Sequence, residues 1–171
     1  MAAPDRTAAD VIAALDLAPL PGEGGYFRET WRGEETVPAG ALPAHDAARS
    51  VGTVILFLVT PTAFSALHLL AGPEVWFFHD GDPAELTLLH PEGRVEVVTL
   101  GHDLGAGQRP QVVVPGGVWQ ACSVAPGGSW SLFGTAMAPG FDAADFTLGG
   151  SAALEAGWPN AIGRIRRLTR G

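Results

Sequence analysis

Between Ser50 and Met137 the chain is cut into apolar, β-branched-rich segments of four to eleven residues. Turns such as "HPEGR" (90–94), "LGAGQRP" (104–110) and "APGG" (125–128) separate them. This cadence constrains the fold more than any other feature. Segments this short cannot bury a stripe as helices, but they pair well as strands joined by tight turns. With 23 Gly and 14 Pro in 171 residues, the punctuation runs through nearly the whole chain. The spacing predicts strands at 50–60, 64–70, 74–80, 84–89, 94–100, 111–114, 119–125 and 130–137, which is an all-β sandwich or barrel.

The flanks read differently. "TAADVIAALD" (7–16) has Thr7 to cap a short helix, Asp10 to complete a capping box, and Val11, Ile12 and Leu15 on one face. "PLPGEGG" (19–25) ends it, and "YFRETW" (26–31) alternates as a strand with Tyr26, Arg28 and Thr30 opposite Phe27, Glu29 and Trp31. Residues 33–50 lack periodicity and read as a mobile loop, and the last 25 residues read as one or two short helices with Ser151 as a cap. The expectation is one domain over 1–171, with a core at about 10–148 and an Arg-rich tail at 149–171.

Charge excludes one class of partner. The net charge is −8, every one of the ten basic residues is Arg, and four of these fall in the last eight positions. A nucleic-acid binder needs a broad basic face, so no nucleic-acid partner is expected and the tail reads as a solvated, salt-bridged terminus. Cys122 is the single cysteine, which excludes an internal disulfide. No apolar run approaches the ~20 residues of a membrane span and the N-terminus lacks a signal pattern, so a soluble, cytoplasmic protein without membrane contact is expected.

The stretch "SALHLLAGPEVWFFHDG" (65–81) resembles the first motif of the cupin superfamily, H-x-H, a short gap, E, six residues, G. "PGGVWQ" (115–120) resembles the second, P-x-G-x-x-H, with Gln120 at the final histidine. "EGGYFRETW" (23–31), "VVPGGVWQA" (113–121) and "APGFD" (138–142) are similar to the Cupin_5 group, formerly domain of unknown function 985. The resemblance covers roughly 10–148. It implies a double-stranded β-helix, a jelly-roll barrel, with a ligand cavity inside and a homodimeric assembly.

Metal-dependent members of the superfamily use three His and one Glu. Carried over, the pattern keeps His68 and Glu74 but has Leu70 and Gln120 at the other two positions. Leucine cannot ligate and an amide oxygen binds transition metals weakly, so no cofactor is expected; a loosely held divalent ion on His68, Glu74 and Gln120 is the variant reading. Strand parity turns Glu74, Trp76 and Phe78 inward with Gln120 and Cys122, and His79 and Trp119 outward. Either Gln111 or Pro110 flanks the mouth.

Three functions follow. The first is a metal-free isomerase- or epimerase-type pocket for a small organic molecule, with His68 as base, Glu74 orienting it, and Gln120 and Tyr26 holding a substrate oxygen. Trp76, Phe78 and Gln111 complete its substrate wall. The second is a metal-dependent dioxygenase or isomerase. The third is a non-enzymatic receptor for a small ligand. Gly24 stands where nucleotide-sugar epimerases of this fold place a phosphate-contacting Arg, which argues against a nucleotide ligand. His45, His90 and His102 read as solvated loop residues, Cys122 as a buried small hydrophobe, and Arg28 with Glu29 as a dimer seam on the strand at 26–31.

Overall fold

The computed structural model describes residues 6–170. Helix α1 (Ala8–Ala14) starts where the capping box places it: the Thr7 hydroxyl accepts the Asp10 N–H at 3.3 Å, and the Asp10 carboxylate accepts the Thr7 N–H at 2.9 Å. In chain order the strands are β1 (Ala18–Pro19), β2 (Tyr26–Arg32), β3 (Thr36–Val37), β4 (Arg49–Ser50), β5 (Thr53–Val59), β6 (Ser65–Leu70) and β7 (Glu74–Gly81). They continue with β8 (Ala84–Leu89), β9 (Val95–Leu100), β10 (Gln111–Val114), β11 (Trp119–Val124), β12 (Ser131–Met137) and β13 (Phe146–Leu148). Helices α2 (Ser151–Gly157) and α3 (Ile162–Leu168) close the chain.

Two antiparallel sheets face each other, ordered β1-β2-β5-β12-β7-β10 and β13-β6-β11-β8-β9. This is the expected jelly roll. Because side chains alternate along each strand, every second residue of both sheets enters one core. Phe57, Trp76, Phe78 and Phe133 from the first sheet meet Leu86, Leu88, Cys122 and Val124 from the second. His79 is exposed, as the parity requires.

Both outer faces carry helices. Leu154, Ile165 and Leu168 of the C-terminal helices pack on Leu67, Leu89 and Ala121, with Trp119 beside them. Helix α1 lays Val11 over Leu58, Trp130 and Leu132, with Tyr26 and Leu56 packed alongside. It therefore covers the start of β2 only, and Trp31 stays 50% exposed.

Several sequence expectations are corrected. The segment 33–50 is not a structureless loop: β3 pairs with β4, and His45 and Arg49 are buried. Their burial is stabilised by Asp145, whose carboxylate takes two hydrogen bonds at 2.7 Å from Arg49 and lies 3.1 Å from His45 Nδ1. His90 is buried as well, 3.0 Å from the Glu96 carboxylate, while His102 is exposed as expected. Ser151 is the first residue of α2 and bonds Glu155 at 2.6 Å; the cap position belongs to Gly150. In the Arg-rich tail, Arg164 pairs with Glu85 and Arg166 with Glu155, whereas Arg170 lies over the Phe64 ring and donates to the Glu23 and Phe64 carbonyls. Among the described residues no helix is long and apolar enough to cross a membrane.

Candidate functional site

A cavity of about 180 Å³ opens at one end of the barrel. Its walls follow from the alternation: Ile55 and Phe57 from β5, His68 and Leu70 from β6, Glu74 and Trp76 from β7, Thr135 and Met137 from β12. Phe27 and Glu29 reach it from β2, and Phe141 and Phe146 close it from the segment after β12.

His68 is 2% exposed and stacks on Phe146 with ring centres 5.3 Å apart. Its Nδ1 lies 2.8 Å from the Ala66 carbonyl. A carbonyl only accepts, so Nδ1 carries a hydrogen, and the tautomer this selects has its lone pair at Nε2. The group that fixes the tautomer is therefore the Ala66 carbonyl, and not Glu74 as the sequence suggested. Glu74 instead accepts the Gln120 amide N–H at 2.8 Å. Burial pushes the Glu74 carboxyl above the ordinary carboxylate range; nearby His68, Thr135 and Gln120 partly oppose this, and Glu23 adds to it.

Gln120 is itself locked. The Trp76 indole N–H donates to its Oε1 at 2.9 Å. An indole nitrogen can only donate, so the amide oxygen faces Trp76 and the amide nitrogen faces Glu74. Gln120 thus stands in the wall behind Glu74, at 1% exposure, and braces it.

Besides Gln120, whose oxygen is committed to Trp76 and not to a substrate, three predicted residues lie off the cavity lining. Tyr26 packs outward with α1, because on β2 it is Phe27 and Glu29 that face the cavity. Phe78 sits deeper in the core, edge-on to Phe133 and His102. Gln111 pairs with Phe77 at the sheet edge and is exposed.

The residue the sequence reading missed is Glu23. Its Oε1 accepts the Ser65 hydroxyl at 2.6 Å and lies 3.8 Å from His68 Nδ1. Its one sequence signal was the "EGG" preceding β2. There Gly24 and Gly25 adopt φ of +97° and +75°, which L side chains rarely adopt, so the turn folds back and delivers Glu23 to the barrel. A Cβ at Gly25 would also lie 2.6 Å from the Phe57 ring.

The donor set does not fit the superfamily's four-ligand metal centre. Leu70 supplies no ligand, and the one Gln120 oxygen is committed to Trp76. Among the described residues no group of three or more His, Cys, Asp or Glu is placed to hold a metal ion. Cys122 is buried beneath the site, and burial pushes its thiol far above the usual range. That disfavours the thiolate nucleophile.

A hypothetical protein from Leishmania major superposes with a TM-score of 0.88 at 31% identity, over 97% of this chain and 100% of that one. The uncharacterized protein YML079W of Saccharomyces cerevisiae is 31% identical over 135 residues, 73% of this chain and 67% of that protein. Oxalate decarboxylase from Bacillus subtilis shares the fold at a TM-score of 0.53 and 17% identity, over 90% of this chain and 37% of that one. The family described as Cupin superfamily (DUF985) matches residues 9–149. With its facing sheets, its cavity and its two motifs in the barrel wall, the chain belongs to Cupin_5, a family of the cupin superfamily.

Proposed function

We propose that the cavity binds a small organic molecule and moves a proton on it, an isomerase- or epimerase-type reaction that needs no metal. The observation that supports this best is His68: one ring nitrogen is tied to the Ala66 carbonyl, and the other is left for a ligand in a largely apolar cavity. Nε2 takes a proton from carbon next to a carbonyl. The C–H electron pair moves into the C–C bond and the carbonyl π pair moves onto oxygen, forming an enolate. Glu74, inclined by burial to hold its proton, donates a hydrogen bond to that oxygen. The imidazolium formed lies near the carboxylate of Glu23. In an isomerisation it returns its proton to the former carbonyl carbon, while Glu74 gives its proton to the enolate oxygen and takes one from the neighbouring hydroxyl. In an epimerisation the enolate turns over in the cavity before His68 returns the proton to its other face. The single cysteine, buried and reduced, suits the cytoplasm.

The test is a panel of small α-hydroxy and α-amino ketones incubated with the protein in D₂O and followed by NMR. Deuterium should enter next to the carbonyl of at least one member, and His68→Ala should slow this by about 100-fold or more. Saturable binding with no exchange would make the barrel a receptor and overturn the catalytic reading. Unchanged exchange in His68→Ala would also overturn it.

A further inference from the structure

The charge around this cavity is one-sided. The chain has no Lys, and none of the cavity's lining residues is Arg, whereas Glu23, Glu29 and Glu74 all line it. Three guanidinium groups near it are committed elsewhere. Arg32 grips Glu29 at the mouth at 2.7 and 2.9 Å, Arg49 grips Asp145, and Arg170 serves two backbone carbonyls. The resulting contrast isolates Glu23. Asp145, Glu85 and Glu155 each pair with an Arg, but the Glu23 carboxylate, whose side chain is 13% exposed, accepts the Ser65 hydroxyl and has no guanidinium among the described residues. A buried carboxylate is expensive without a counter-charge.

We infer that the ligand supplies that charge: the cavity takes a small organic ammonium ion. This rests on the cavity being the ligand site, as proposed above. An ammonium on Glu23 would stand beside His68, whose Nε2 is unpartnered among the described residues. It would also lie among Phe27, Phe57, Trp76, Phe141 and Phe146, whose rings attract cations. An anion would meet two or three carboxylates and no Arg or Lys. A cavity of about 180 Å³ is close to the ~150 Å³ that encloses one benzene, which limits the ligand to about one six-membered ring.

The test uses three probes of one shape, benzylammonium, benzyl alcohol and benzoate, titrated calorimetrically into the full-length protein at high salt to suppress the effect of its overall charge of −8. Benzylammonium should bind at least about tenfold tighter than benzyl alcohol, as a charge-assisted hydrogen bond allows, and benzoate should be the weakest. Glu23→Gln keeps the oxygen that Ser65 needs. It should abolish the preference for the cation, so that benzylammonium and benzyl alcohol bind about equally. Equal or tighter binding of the alcohol or benzoate overturns the ammonium inference and leaves the pocket standing. Retention of the full preference in Glu23→Gln overturns Glu23 as counter-ion. If no probe saturates at millimolar concentration, the inference falls together with the pocket itself.

Discussion

The chain Trp76–Gln120–Glu74 shows how single atoms set the site. Each group has one way to satisfy its neighbour, since the indole only donates and so dictates which end of the amide meets the carboxyl. Trp76→Phe removes that donor and leaves the Gln120 oxygen unpaired at 1% exposure. The expected cost is about 2 kcal/mol in urea unfolding, plus freedom for the amide to turn over. Glu74 gives a prediction about pH. Burial raises its pKa in the folded chain, so the folded state holds the proton to higher pH than the unfolded one. Its favourable contribution is complete below the ordinary carboxylate range and is lost as pH climbs through the raised value. Glu74→Gln, which stays neutral, should match the wild type near about pH 4 and exceed it at about pH 8 by on the order of 1 kcal/mol. A difference independent of pH would show that the carboxyl is not strained by burial.

At the scale of elements, the segment from Phe141 to Phe146 forms a wall of the cavity, and what holds it is remote in sequence. Asp145 anchors it to Arg49 and His45, all three side chains being 7% exposed or less. Arg49 holds the Asp145 carboxyl below the usual range, so this contribution is present above the ordinary carboxylate pKa and fades as pH falls through the lowered one. Asp145→Asn leaves Arg49 without its counter-charge. The melting temperature should drop by roughly 5 °C or more, with proteolytic cuts appearing between 138 and 146. A variant as stable and as resistant as the wild type would show that the segment is held by its backbone hydrogen bonds and its Phe side chains without the Asp145 anchor.

For the whole molecule, the question is what covers β2. The strand pairs with β1 only at Tyr26 and Phe27, so from Arg28 to Arg32 one backbone edge has no strand partner among the described residues, and Trp31 stays half exposed. Within one chain Glu29 pairs with Arg32 of the same strand. Edges of this kind invite a second chain, and we expect a two-fold dimer that uses Trp31. Light scattering at micromolar concentration should give twice 17.7 kDa, and Trp31→Glu should give 17.7 kDa with its β signature intact. A monomeric wild type rules the dimer out.

The sequence by itself determined the longer strands, the inward parity of Glu74, Trp76, Gln120 and Cys122, the capped first helix and the family. These depend on neighbours one to four positions apart, where alternation and turn residues act directly. Only the tertiary structure decided which polar group meets which. Glu23 reaches His68 through a turn of two left-handed glycines, His45 and Arg49 are buried because Asp145 arrives from 96 residues beyond Arg49, and His68 takes its tautomer from a backbone carbonyl, an atom every residue carries. Tyr26 and Phe27 illustrate the same limit: alternation put them on opposite faces, but which face met the cavity was set by α1 packing on the other. A pattern with period two fixes relative facing, while the partner across each face is chosen by packing between segments far apart in the chain.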